Sequence, residues 1–370
     1  MASTTDHDPT KDDRFELAAQ GVPGALPIGD VQPDAEDARA AGGLTPDGRP
    51  AEGGISGTSV RLGDKVFKGL AAGSGALLLV VMAAIAIFLI WKAIPAFTAD
   101  NAGNLLTTQS WNPQADPPLF GMAAVFFGTV MSSFIALVIG VPIAIGIALF
   151  ISNYASRRAA TTLGAMVDLL AAVPSLVFGM WGLYFLIPNT QGFQQWLSVY
   201  FGWIPIFGND TATTASQFGK SLLIAGIVLA IMIIPIVSAV CREVFLQVPR
   251  ETIDAAWALG ATKWEMIRTA VLPFGRAGII SAAMLGLGRA LGETIAVALV
   301  LNSGFVINWH ITEPGGDTFA STIALKFGES GGNPVAIAAL IAAGLFLFVI
   351  TLLVNSIARI VIARRKDFTA

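Results

Sequence analysis

Six long apolar segments limit what this chain can fold into. They lie at about 69–94, 120–152, 162–187, 220–242, 277–302 and 335–362. Each is near or above the roughly 20 residues that a helix needs to cross a bilayer. Charged residues make up only 13% of the chain, against about a quarter in soluble domains. The sequence therefore predicts an all-α, polytopic membrane protein whose six transmembrane helices form one domain over residues 61–370.

The basic residues of the loops predict the orientation. If the N-terminus is inside, the inside loops and helix ends carry these eleven bases: Arg157, Arg158, Arg242, Arg250, Lys263, Arg268, Arg276, Arg359, Arg364, Arg365 and Lys366. The outside loops and helix ends carry only Lys92, Lys220 and Lys326. Because cytoplasmic loops are enriched in Lys and Arg, both termini are expected in the cytoplasm.

The N-terminal residues 1–60 differ from the rest of the chain. They hold eleven acidic and four basic residues and show no apolar periodicity, so we expect a disordered, acidic cytoplasmic tail. No basic block suited to nucleic acid is present, so no nucleic-acid partner is expected. His7 and His310 are too far apart to suggest a metal site, and a single cysteine, Cys241, excludes an internal disulfide.

A short polar hairpin at residues 249–273 separates the fourth and fifth apolar segments. Gly260 is expected to end its first helix, Thr262 and Glu265 to cap its second helix, and Pro273 to stop that helix. The loop charges place the hairpin in the cytoplasm. A compact hairpin there fits the groove of a partner protein; the alternative is an amphipathic helix that lies on membrane lipid.

Charged residues inside the fifth segment are the candidate substrate path. Arg289 and Glu293 are four residues apart, which predicts one shared helix face, and Thr294 follows them. Charges within a span cost at least about 2.5 kcal/mol each and usually face a cavity or each other. The donor fork of Arg289 suits an oxyanion, and Glu293 would hold Arg289 or accept the anion's proton. The alternative is a structural ion pair that locks neighbouring helices.

Enzymatic sites are not indicated by the sequence. No nucleophile–base constellation appears on the spans. Residues Gly219, Lys220 and Ser221 match the end of a P-loop, but Thr214 stands where the motif requires its first glycine. We therefore expect a chain that is not an enzyme and that holds no ATP, metal or other cofactor itself.

The hairpin resembles a motif of known transporters. Its spacing is similar to the EAA loop of ABC importer permeases, EAA-x3-G-x9-I-x-LP, although Asp254 replaces the usual Glu and Ala270 stands where Ile is common. The matching residues are Asp254, Ala255, Ala256, Gly260, Leu272 and Pro273. This resemblance implies a type I ABC importer permease fold, and it implies that these residues couple the chain to a partner ATPase.

A second resemblance concerns the substrate. The stretch GRALGETIAV at 288–297 is similar to the phosphate-specific transport (Pst) permease family, to PstC more than to PstA. The stretches DLLAAVPSLVFG at 168–179 and WNP at 111–113 agree, and the resemblance covers roughly residues 65–365. It implies a permease for inorganic phosphate in a bacterial cell membrane. The implied partners are a homologous PstA-like subunit, a PstB-like ATPase dimer that binds ATP and Mg, and an external PstS-like phosphate-binding protein.

The sequence alone is compatible with two alternatives. Within transport, the substrate could be another oxyanion or a different small solute, since the hairpin spacing alone indicates only an importer permease. From another class, the chain could be a membrane scaffold or phosphate-sensing module whose hairpin binds a cytoplasmic regulator without transport. Neutralising Arg289 separates these hypotheses, because a carrier should lose uptake whereas a scaffold should tolerate the change.

Overall fold

The structure is a computed structural model. It describes the following residues: 62–101, 103–208 and 219–366. The chain divides into two units, Met1–Ala76 and Leu77–Ala370, and the described part of the first unit is the helical stretch 62–76. The predicted acidic tail at 1–60 lies outside the described residues.

Helices dominate the described chain, as predicted. In chain order they are α1 Leu62–Thr98, α2 Ala123–Leu149, α3 Arg157–Ala171, α4 Ser175–Trp181, α5 Ile187–Phe201, α6 Leu222–Leu246, α7 Arg250–Ala258, α8 Lys263–Met266, α9 Leu272–Leu291, α10 Ile295–Val300, α11 Phe319–Phe327 and α12 Pro334–Lys366. π-Helical turns occur at Phe150–Tyr154, Gly182–Leu186 and Ile267–Val271. A short antiparallel pair, β1 Trp111–Asn112 and β2 Leu119–Phe120, precedes α2.

The described helices include five that are long and apolar enough to cross a membrane. They cover Lys65–Thr98, Ala123–Tyr154, Leu222–Leu246, Lys263–Leu291 and Pro334–Ile360. A sixth crossing requires α3 together with the helical stretch Ser175–Phe201, which meet at an angle of 89°. The prediction of a polytopic helical membrane protein is confirmed.

The third apolar segment, at 162–187, is bent and does not form a straight span. Pro174 has an extended backbone, with φ −58° and ψ 138°, immediately before α4. Proline disfavours the helical conformation in the residue before it, here Val173. Proline also supplies no N–H to the helix that precedes it. The chain therefore leaves α3 at Ala171 and restarts in a new direction at Ser175.

Helix α6 is the centre of the main core. Helices α2 and α9 both pack along it, and Leu229, Ile233 and Val237 of α6 are fully buried. Small residues on α9 permit the close approach: a Cβ added at Gly275 would lie 2.7 Å from the Phe245 ring. Close packing at small residues is the usual way in which helices associate in a bilayer. It holds α9, which carries Arg289, against α6.

A second cluster forms where α2 meets the segment before α11. The side chains of Phe120, Val125 and Phe319 are fully buried there. The backbone N–H of Phe319 donates to Oγ1 of Thr129 on α2 at 3.0 Å. Gly128 lets the backbone of residue 317 approach α2 so closely that an added Cβ would overlap the carbonyl oxygen of Asp317.

Candidate functional site

Arg289 lies in the last turn of α9, which ends at Leu291. A cation is favourable there because the final carbonyl groups of a helix carry partial negative charge. The side chain is half-buried, and its Nε is buried without a hydrogen-bond partner among the described residues. Leaving a buried donor unsatisfied costs about 1–3 kcal/mol, and more when it is charged. Arg289 therefore has donor capacity that the described part of the chain does not use.

The Arg289 side chain lines a cavity of about 460 Å³ between α6, α9 and α12. The lining residues are Ile236, Ser281, Met284, Leu285, Gly288, Arg289 and Asn355. We call this space the Arg289 cavity. Two cavities of similar size, about 530 and 470 Å³, are lined by apolar residues. The Arg289 cavity differs from these two because a guanidinium, an amide and a hydroxyl are among the groups of its lining residues. A small polar anion would find donors there.

The helix that carries Arg289 stops before Glu293. The fifth segment was predicted to be continuous over 277–302, but α9 ends at Leu291 and α10 begins at Ile295. Gly292 caps α9 with φ −95° and ψ 3°. Because residues four apart share a face only in a continuous helix, the predicted shared face of Arg289 and Glu293 is wrong.

Glu293 acts as a helix cap in this structure. It is buried, and the N–H of Ala296 donates to its Oε1 at 3.2 Å, which satisfies one of the free N–H groups at the start of α10. The hydroxyl of Thr294 donates to the carbonyl oxygen of Gly292 at 3.3 Å. Within the described residues, no ion pair or hydrogen bond joins Glu293 to Arg289. The chain thus places Arg289 in the cavity and uses Glu293 and Thr294 to shape the break beside it.

The hairpin at 249–273 has the predicted turn. Gly260 has φ +77°, a left-handed conformation that favours glycine at the end of a helix. The N–H of Thr262 donates to Glu265 Oε2 at 2.7 Å, and the N–H of Glu265 donates to Thr262 Oγ1 at 3.4 Å. These reciprocal bonds are the predicted capping box.

Pro273 does not stop the second helix of the hairpin, so that prediction is wrong. Helix continues from Lys263 to Leu291 through the π-helical turn Ile267–Val271. The N–H of Leu272 donates to the carbonyl oxygen of Ile267, five residues back. This change of register comes immediately before Pro273, which falls in the first turn of α9, where a missing N–H is tolerated.

One face of the hairpin is anchored and the other is free. Met266 and Ile267 are buried in the main core, whereas Trp257, Leu259 and Trp264 are 44%, 90% and 57% exposed. Among the predicted coupling residues, Asp254, Ala255 and Gly260 are exposed, while Ala256, Leu272 and Pro273 are half-buried. Three large exposed apolar side chains within one short hairpin are typical of an interaction site.

Two polar features of the structure were not identified from the sequence. Asn355 lines the Arg289 cavity; a lone amide in an apolar span was the available signal. Arg242 on α6 lies 3.4 Å from Asp168 of α3 and 2.9 Å from Glu243, between its Nη2 and a carboxylate oxygen of each. The ion pair of Arg242 with Asp168 links α3 to α6 on the N-terminal side of the bend at Pro174. The sequence gives no distance between these helices, so the pairing of Arg242 and Asp168 could not be derived.

Comparison with known proteins identifies the family. The family described as "Binding-protein-dependent transport system inner membrane component" matches residues 140–367. The chain belongs to this family. The "Phosphate transport system permease protein PstC 2" of Mycobacterium tuberculosis is 44% identical over 311 residues, which cover 84% of this chain and 95% of that protein. The PstC protein of Xylella fastidiosa (strain Temecula1) is 37% identical over 307 residues, which cover 82% of this chain and 92% of that protein.

These relatives place the chain among the PstC proteins, and the predicted Pst membership is confirmed. Solved structures agree on the fold. A bacterial ABC transporter involved in the import of alginate matches with a TM-score of 0.50 and 19% identity over 81% of this chain and 99% of that chain. A bacterial alginate ABC transporter in complex with an alginate-bound periplasmic protein matches with a TM-score of 0.50 and 20% identity. The match covers 80% of this chain and 96% of that chain. The chain thus has the predicted fold of a type I ABC importer permease and is a multi-pass membrane protein.

Proposed function

We propose that this chain is the permease subunit through which an ATP-driven importer carries inorganic phosphate into a bacterial cell. The observation that carries the proposal is the Arg289 side chain, a cation within a span that lines a cavity together with two other polar side chains and whose buried Nε has no partner among the described residues. The names of the PstC relatives supply the substrate, since they are called phosphate transport system permeases. The guanidinium suits phosphate because its planar fork matches two oxygens of an oxyanion.

Arg289 would offset the cost of removing water from the anion during passage. An isolated anion in a low-dielectric medium is strongly unfavourable, and a fixed positive charge along the path lowers that barrier. Conduction also requires release, so a passage site binds weakly. Since Glu293 is turned towards the start of α10, it would support the break next to the site instead of contacting the substrate.

The free face of the hairpin would bind the ATPase subunits. Trp257, Leu259 and Trp264 are exposed on a segment whose other face is fixed in the core, as expected for a helix that inserts into a groove. ATP and Mg would be bound by a PstB-like dimer, and this chain would have no enzymatic activity of its own. Lys263, with its Nζ 4.6 Å above the Tyr154 ring, would brace the hairpin against the end of α2.

The remaining partners follow from the family and from the charge pattern. A homologous PstA-like subunit would complete the passage, and a PstS-like protein would deliver phosphate to the outside loops. The distribution of Lys and Arg supports cytoplasmic positions for both termini and for the hairpin. The spans themselves would be surrounded by membrane lipid.

Uptake of radiolabelled phosphate by cells that express the complete complex tests this proposal. We expect Arg289→Gln to lower the initial rate at least about tenfold, since hydrogen bonds to a charged group contribute about 1.5–3 kcal/mol. Co-purification of the ATPase should be unchanged. Arg276→Gln is the matched control, because Arg276 is an exposed arginine on the same helix.

The alternatives give different results in the same assay. Full uptake by Arg289→Gln would refute a role of Arg289 in the path. Normal assembly without phosphate uptake by the parent complex, but with uptake of another oxyanion, would identify a different substrate. Normal assembly with transport of no solute would favour a scaffold or sensing module.

A further inference from the structure

We propose that Asn355 of α12 is a second ligand for the oxyanion in the Arg289 cavity. The inference rests on the proposed function, because it adds a residue to the same site. Asn355 lies within the candidate span Pro334–Ile360 and lines the cavity together with Arg289. The two residues come from different helices, so an anion between them would join α9 to α12.

The side-chain amide of Asn355 forms no hydrogen bond with another described residue. The neighbouring hydroxyl groups of α12 satisfy themselves: Thr351 donates to the carbonyl oxygen of Phe348 at 2.8 Å, and Ser356 donates to that of Leu352 at 2.7 Å. Asn355 forms no such bond in the part of the chain that the structure describes. Asn355 is exposed on the surface of this chain, and an amide that faces the apolar region of a membrane without a partner is unfavourable. A polar partner is therefore expected on the side of the cavity that it lines.

The amide supplies the donors that the rest of the cavity lacks. The hydroxyl of Ser281 is already committed, because it donates to the carbonyl oxygen of Ala277 at 2.9 Å. The remaining donors of the lining are the guanidinium of Arg289 and the NH2 group of Asn355. A tetrahedral oxyanion has enough oxygens to accept from both. No carboxylate of the described residues lines the cavity, so none of them repels a dianion there.

This composition fits a site that must also release its anion. A single cation helped by a neutral amide attracts phosphate less strongly than two cations would, which agrees with weak binding along a path. The position on two helices adds a means of release. When α9 moves relative to α12, the anion loses one of its two ligands, and its affinity falls without any change in the charge of the site.

Two nearly isosteric substitutions test the inference. Asn355→Leu removes the donors, and loss of a hydrogen bond to a charged group should lower phosphate uptake about tenfold. Asn355→Asp keeps the shape and polarity but adds a negative charge, which would pair with Arg289 and repel the anion, so we expect a larger loss than with leucine. A purely structural amide would give the opposite order, because Asp resembles Asn more closely than Leu does. Ser356→Ala, at the adjacent residue outside the cavity lining, is the control and should leave uptake within about twofold.

Each variant is measured in the complete complex, with co-purification of the ATPase as the check on assembly. Uptake that is as high in Asn355→Asp as in Asn355→Leu, or higher, would overturn the inference. So would normal uptake in Asn355→Leu. In either case the loss of uptake in Arg289→Gln would leave the proposed function standing. Full uptake in Arg289→Gln would instead refute the proposed role of the Arg289 cavity in the path, whatever the Asn355 variants show.

Discussion

Substituting Gly128 by alanine is expected to separate two parts of the structure that touch through backbone atoms. Gly128 is buried on α2, and a Cβ there would overlap the carbonyl oxygen of Asp317 and lie 3.0 Å from its carbonyl carbon. Gly146 lies on the same helix, and a Cβ there meets nothing within 4 Å. The two glycines therefore differ in their surroundings while sharing a helix.

The expected cost follows from these contacts. Alanine favours a helix over glycine by about 0.5–1 kcal/mol, so Gly146→Ala should be neutral or stabilising. At Gly128 the same gain is opposed by overpacking, which costs about 1–3 kcal/mol. The bond from the Phe319 N–H to Thr129 Oγ1 would also be strained, since the loop must move by more than about 1 Å to restore normal contact distances. Losing that buried bond costs about 1–3 kcal/mol, so Gly128→Ala should destabilise the protein by about 2–4 kcal/mol in total.

Thermal unfolding of the detergent-purified complex measures the difference. We expect the midpoint to fall by about 5 °C or more for Gly128→Ala and to stay level or rise for Gly146→Ala. The opposite signs are the diagnostic result, because both substitutions make the same chemical change on one helix. Equal midpoints for the two variants would refute the close approach of the Asp317 backbone to α2.

Two further predictions concern the cytoplasmic half of the protein. Gly260→Ala places a Cβ in open space at φ +77°, so the cost of about 1 kcal/mol comes from the backbone alone; hydrogen exchange should become faster in the hairpin while the global thermal midpoint hardly changes. Arg242→Gln should lower the midpoint more than Asp168→Asn, because Arg242 also contacts Glu243. The coupling between Arg242 and Asp168 in a double-mutant cycle should stay below about 1 kcal/mol, since the Asp168 side chain is 54% exposed.

Local signals in the sequence predicted the parts of the fold that depend on few residues. The left-handed turn at Gly260 and the capping box of Thr262 and Glu265 are fixed by neighbours in the chain, and both are present. The apolar segments likewise predicted helices, because their length and low charge suffice for that conclusion. The membership of the Pst family came from the stretch around Arg289, which is a match of residue types and requires no distances.

Tertiary packing decided the features that the sequence left open. A run such as 277–302 reads as one helix, because Gly292 alone does not reveal that α9 ends there. Proline is normally a helix breaker, yet the π-helical turn before Pro273 lets the helix continue. The partner of a polar residue in a span also depends on which helices meet, so Asn355 could be assigned to the Arg289 cavity only from the structure.

A single helix connects the hairpin to the cavity. It runs from Lys263 to Leu291, and at 1.5 Å per residue the distance from Lys263 to Arg289 is about 39 Å. The π-helical turn Ile267–Val271 and Pro273 lie within it, and helices bend at such features, but the helix is not interrupted between Lys263 and Leu291. If the proposed function holds, this continuous helix would carry a displacement of the hairpin by the ATPases to Arg289. The side of α9 that faces α6 carries glycines, and a Cβ at Gly286 would lie 2.8 Å from Val237. Val237, Val244 and Phe245 of α6 lie directly against the glycines of α9, so the two helices fit closely there. A shift of α9 relative to α12 would move Arg289 relative to Asn355.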